Sequence, residues 1–237
     1  MKPEVIDSRS ATLSARASFD ELGHRLEELE AVLRSQKLRV SGAARLPEYK
    51  RILRQASEAG DSIAESNPLM ESVHRALLEC REYLTIVTQL SRQPEVSGWR
   101  KGVQIALGGL ALPSDEGSAT PARDKQYELL LAASVRSVGY AIQLAEPDVV
   151  AQLDQAEFGI AAKRPKSENG LNKAARKGNQ QIKKSGVVGI LAVDFSLLCE
   201  VPHKRVLVPT AEEGRRHLYQ LLDEEVDHRV AQLRCLV

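Results

Sequence analysis

The stretch Phe158-Gly159-Ile160-Ala161-Ala162-Lys163-Arg164-Pro165 is an apolar run that ends in charge. It reads as a β-strand with a lysine at its exit. Residues two apart on a strand share a face, so Ala161 and Lys163 stand on the same side of a sheet. Upstream, Ala145-Glu146-Pro147-Asp148 places an aspartate directly after a proline, where one short strand ends and the next begins. Taken singly, such an aspartate is an ordinary turn residue, and a strand-end lysine ordinarily reaches solvent. Together, on adjacent strands, they form a pair worth following outward.

The surrounding sequence sets loose bounds. The chain has 237 residues, a formal net charge of +1 and 4% aromatic residues. Near-balanced charge gives no global pull toward nucleic acid or membrane, and the low aromatic content suits a helix-rich or α/β protein. Cys80, Cys199 and Cys235 are widely spaced, with no CxxC or Cys/His pattern for structural zinc. His24, His74, His203, His217 and His228 show no ligand spacing either. Gly108-Gly109 lacks the lysine and hydroxyl residue of a P-loop, and no nucleophile elbow supports a serine hydrolase. No signal peptide opens the chain and no apolar run is long enough to span a bilayer, so a cytoplasmic protein without a membrane partner is expected.

Periodicity divides the chain. Residues 1–17 are polar and aperiodic, the pattern of a flexible arm. Ser18-Phe19-Asp20-Glu21 is a capping box, and Phe19, Leu22, Leu26, Leu29 and Leu33 follow at helical spacing. Further helices are predicted over 47–59 and from Asn67-Pro68, where an N-cap asparagine precedes a first-turn proline. Residues 18–112 thus form a helical N-terminal domain, and 113–121 has the composition of a linker.

From there to Val237 a second domain is predicted. It opens with a helix over 124–138, with Tyr127, Leu131, Ser134, Val135 and Val138 inward and Gly139 closing it. Strands over 140–144, 149–153 and 158–163 follow, then a helix over 168–184 and a buried strand over 187–195. A second capping box, Thr210-Ala211-Glu212-Glu213, opens a C-terminal helix. The fold class is α/β (α+β), with element order α-β-β-β-α-β between 124 and 195.

That order, with Pro147-Asp148 and Ala162-Lys163-Arg164-Pro165, resembles the PD-(D/E)xK, or restriction endonuclease-like, nuclease superfamily over about residues 122–198. The resemblance implies a metal-dependent DNA endonuclease, with a range of roles in restriction, repair and phage defence. Asp148 would be the central ligand of Mg2+ or Mn2+, with the main-chain carbonyl of Ala162 as a further ligand. Glu128 would be the helix acid, Lys163 would position the attacking water, and Gln181 would orient the site. The chemistry explains the residue types: a hard cation needs oxygen ligands, and it activates water while neutralising phosphoryl charge.

Position 161 departs from the pattern. The superfamily's acid stands there, two before the lysine, and this chain has alanine. Cleavage is therefore expected to be lost or impaired, and three explanations stand: an engineered inactive variant with alanine for a natural glutamate, an acid such as Glu157 or Glu146 in its place, or a nuclease fold that only binds. Residues four apart on a strand are about 13 Å apart, so Glu157 would need a bend to serve there. The basic residues Arg164, Lys166, Lys173, Lys177 and Lys184 offer a phosphate track for DNA. The rival reading is a non-catalytic DNA-binding or assembly protein. In it the helices over 19–33 and 218–233 would serve as homo-oligomer seams.

Overall fold

The computed structural model describes residues 8–38, 45–59, 68–92, 96–109, 121–153 and 155–194. Among them the order is α1 (Ser8–Ser35), α2 (Arg45–Ala59), α3 (Pro68–Leu90), α4 (Trp99–Leu107) and α5 (Pro121–Ser137), then β1 (Ala141–Gln143), β2 (Val149–Leu153), β3 (Ala156–Lys163), α6 (Glu168–Ser185) and β4 (Val188–Val193). The class is mixed α and β, with the predicted helix and strand order in the second half. The segment from Thr210, with its capping box, lies outside the described residues.

The α1 stripe is buried as its spacing predicts: Phe19, Leu22, Leu26, Leu29 and Leu33 all enter the core. Its start is earlier than predicted. The arm expected over 1–17 is helical from Ser8, and the Ser18 box lies inside the helix. No glycine or proline interrupts Ser8–Ala17, and once a helix is nucleated each added residue gains a hydrogen bond, so it runs through an internal capping signal. On α3, Val73, Leu77, Cys80, Leu84 and Val87 are buried on one stripe.

Among the described residues no boundary separates the helices from the sheet. Asp7–Cys199 is one compact unit, and one apolar cluster joins residues of α1 to α5 with Ile142, Val149, Ala151 and Ile160 of the sheet. The shared element is α5, which packs on α3 and α4 and also on β1, β2 and β3. This double contact corrects the face assigned to it. Ala122, Arg123, Gln126, Leu129, Ala132 and Ala133 are buried, whereas Ser134 and Val138 are exposed. A helix covered on two sides has no single apolar stripe, so a search for one selects the wrong residues. Gly139 does end the segment, with φ +101 and its N–H on the Arg136 carbonyl.

The core also holds charge. Glu79 of α3 accepts from Arg45 Nη1 of α2 at 3.0 Å, from Arg123 Nη1 of α5 and from the Tyr49 hydroxyl. Arg45 Nη1 also reaches Tyr83 Oη at 3.0 Å and Gln126 Oε1. Buried charge is tolerable only when paired and hydrogen-bonded, as this is.

The sheet runs β1-β2-β3-β4, antiparallel except that β4 lies parallel to β3. A parallel neighbour needs a crossover, and α6 supplies it. Ser167 caps α6 by accepting the Gly170 N–H at 3.1 Å, and Gly186 closes it with φ +73. The run over 187–195 reads as a buried strand, yet Val188 and Ile190 are 77% and 51% exposed. Among the described residues β4 has one strand neighbour, and α6 covers the face bearing Leu191. On the opposite face Val188 and Ile190 are exposed, while Ala192 packs against the core.

Where β3 and β4 meet, Gly159 stands opposite Gly189. A Cβ on Gly189 would lie 2.3 Å from the Gly159 carbonyl oxygen. Backbone cannot rotate aside as a side chain can, so Gly189→Ala must push the strands apart. We expect it to lower stability by about 1–3 kcal/mol, read as a lower urea midpoint at unchanged m-value.

Candidate functional site

The register of β2 on β3 builds the site. Val149 pairs with Ile160. One step further along the same register brings Asp148 opposite Ala161, and directly opposed residues share a face. Asp148 therefore sits at the end of β3 beside Ala161, Ala162 and Lys163. The Ala162 N–H donates to Asp148 Oδ2 at 2.8 Å. Lys163 Nζ donates to the same oxygen at 2.6 Å and to the Ala162 carbonyl at 2.8 Å.

The third wall is α6. Leu171 and Gly178 face the sheet and are buried. A Cβ on Gly178 would lie 2.4 Å from Leu191 Cδ1 and 3.5 Å from Ala161 Cβ, so the helix rides close over β3 and β4. One turn on, Gln181 Nε2 donates to the Pro147 carbonyl at 2.8 Å and to Asp148 Oδ1 at 3.3 Å. Both Asp148 oxygens thus accept from N–H groups. Gln181 Oε1 is buried with no hydrogen-bond partner among the described residues.

The structure thus brings Asp148, Ala162, Lys163 and Gln181 together. Ala161 is fully buried beneath α6, a position where a methyl fits and a longer side chain would meet the helix. Glu128 stands apart. It is half-buried on α5 and bonded by Lys125 Nζ. Burial lifts its carboxyl above the usual glutamate range against the pull of Lys125, while Asp148 raises it further and Lys163 lowers it. Glu128 therefore senses both site charges without touching either. Glu146 and Glu157, the possible substitutes for the missing acid, are exposed, and Glu157 pairs with Gln152 toward the other end of β3.

The basic residues divide into two groups. Lys173, Lys177 and Lys184 are exposed along α6, as are Arg176 and Lys183, and Lys166 is half-buried just before it. Arg164 does not join them. It is 8% exposed, with Nε 2.7 Å from Asp194 Oδ2 and its guanidinium over the Tyr127 ring at 5.9 Å. Asp194 also donates its N–H to the Lys163 carbonyl at 2.9 Å. Arg164 is thus a clamp on the strand ends that carry Lys163, not a surface contact for DNA. Asp194 follows a strand of apolar residues, and only the three-dimensional pairing reveals its use.

The implied Mg2+ or Mn2+ would look to Asp148, Glu128 and the Ala162 carbonyl. As the residues stand, they do not fit a hard cation. Oδ2 of Asp148 and the Ala162 oxygen already share one ammonium, Glu128 is held by Lys125, and position 161 offers no oxygen. Among the described residues no group of three His, Cys, Asp or Glu side chains could hold a metal, and none of the described helices is long and apolar enough to cross a membrane. Cys80, the described cysteine, is buried and its thiol is pushed up to about 12, so it is not a nucleophile. No protein-family model, curated protein or solved structure matches the chain.

The lifted Glu128 carboxyl has a pH signature. A folded-state pKa above the unfolded value gives stability that is complete below the unfolded value and is lost as pH rises through the folded one. Glu128→Gln removes that loss. Its stability relative to wild type should therefore improve as pH rises from about 4, near the unfolded glutamate value, through the raised folded value, measured by denaturant unfolding from acid to neutral pH. A constant difference would show that Glu128 is not strained by burial.

Proposed function

We propose that this chain binds the phosphate backbone of DNA through a nuclease-like α-β-β-β-α-β core whose own cleavage step is lost or impaired. The observation that carries this reading is the position of α6. One helix delivers Gln181 to Asp148 and also bears the exposed Lys173, Lys177 and Lys184. At 100° per residue, Lys177 and Lys184 lie one turn before and one turn after Gln181 on its solvent side. The basic row therefore borders the Asp148–Lys163 pair rather than lying elsewhere on the surface.

Electrostatics favours a polyanion there. Lysines with extended, exposed side chains attract phosphates and release counterions. The scarcity of aromatic residues argues for contacts to phosphate and sugar rather than stacking on bases. The Asp148–Lys163–Gln181 convergence favours a nuclease ancestry, and Ala161 explains why hydrolysis would be weak. Loss of one carboxylate at such a centre is worth several kcal/mol, on the order of a thousandfold in rate. An assembly role through the terminal helices gains less support, because the α1 stripe is already buried within the chain's own core.

The test is the salt dependence of duplex binding. Replacing Lys173, Lys177 and Lys184 with alanine together should flatten the slope of log affinity against log salt by about three. An unchanged slope would reject this face. A chain that shows no salt-dependent DNA affinity at all would reject the reading.

A further inference from the structure

Lys163 Nζ lies between the two oxygens that a divalent cation would use first, Asp148 Oδ2 at 2.6 Å and the Ala162 carbonyl at 2.8 Å. We infer that Lys163 is the resident cation of this site: its ammonium closes a latent divalent-cation site, and the native chain takes up no metal there. The inference deepens the reading of the site as a backbone-binding surface without cleavage.

Three observations support it. The first is geometric. Magnesium holds its oxygens at about 2.0–2.1 Å in near-octahedral array. It cannot share Oδ2 with an ammonium already bonded to that atom, since the two cations would be pressed together at a half-buried site. The lysine and aspartate side chains there are 13% and 19% exposed, so water screens that repulsion weakly.

The second is charge. Asp148 is matched by Lys163, and Glu128 by Lys125. Two neutral pairs leave no net negative charge to attract a doubly charged ion. The third is hydrogen-bond polarity. Asp148 accepts from the Ala162 N–H, from Lys163 and from Gln181. These donors take three of the carboxylate's roughly four acceptor sites, both of those on Oδ2 included, and point protons where a metal would need lone pairs. Ala161, buried under Gly178, adds no oxygen that could tip the balance.

Removing the ammonium should open the site. Lys163→Met keeps the aliphatic stem and leaves Asp148 half-buried without its cation, free to accept another. Titration with MnCl2 alone, followed by calorimetry, should give no saturable uptake by the wild-type chain. Lys163→Met should gain one site, tighter by about tenfold or more than any wild-type uptake, and lose it again when Asp148→Asn is added. Wild-type uptake that is unchanged or weakened in Lys163→Met would overturn the inference. A folded Lys163→Met protein that still takes up no Mn2+ would overturn it as well.

Should the variant not fold, the wild-type chain alone decides. Mn2+ should leave the Ala162 amide resonance unbroadened, because that N–H lies beside Asp148 Oδ2 and no ion comes near it. Selective broadening of it would place the ion at Asp148 and refute the resident lysine. These titrations contain no nucleic acid, so their outcome is independent of whether the chain binds DNA.

Discussion

Glu79 sits between two buried guanidinium groups, Arg45 from α2 and Arg123 from α5, and the rest of the structure depends on that arrangement. It fixes α5 against the helices. The other side of α5 then becomes the wall on which β1, β2 and β3 pack. Removing one partner of a buried charged network costs about 3–5 kcal/mol, because the remaining charge is left uncompensated. Tyr49, Tyr83 and Gln126 supply the hydrogen bonds that make the network tolerable. The network extends toward the sheet through Glu82, which Gln126 contacts and whose carboxyl burial lifts, with Arg164 opposing.

The site is built where two different constraints meet. Strand register brings Asp148 to Ala161, and this follows from the antiparallel ladder alone. Helix approach brings Gln181, and this depends on Gly178 and Ala161 being small. A carboxylate between a backbone N–H, a lysine and an amide is preorganised, since each donor is itself fixed by a strand or helix.

Much of this was legible in the sequence, and the failures have physical causes. Short apolar runs located β2 and β3, and helical spacing located α6, because such patterns are local properties. The Asp148–Lys163–Gln181 grouping was legible only through the family resemblance, not through periodicity. The inward face of α5 was not, because a helix buried on two sides violates the one-stripe rule. Strand β4 reads as buried from Val187 to Phe195, yet apolar composition cannot tell how many neighbours a strand has. Arg164 reads as part of a basic run, while its partners Asp194 and Tyr127 come from β4's end and α5. Buried arginines such as Arg45 and Arg123 carry no local sign of burial at all.

The lysine row on α6 has a density as well as a position. From Lys173 to Lys184 the helix rises about 16 Å, and a duplex presents one charge per about 1.7 Å of its axis. If the proposed DNA contact forms along this helix, its five exposed cations, Lys173, Arg176, Lys177, Lys183 and Lys184, would face roughly ten phosphates. The contact is therefore dilute. On the proposed reading such a surface would hold a polyanion loosely enough for it to slide, and a firm grip would need charge from elsewhere.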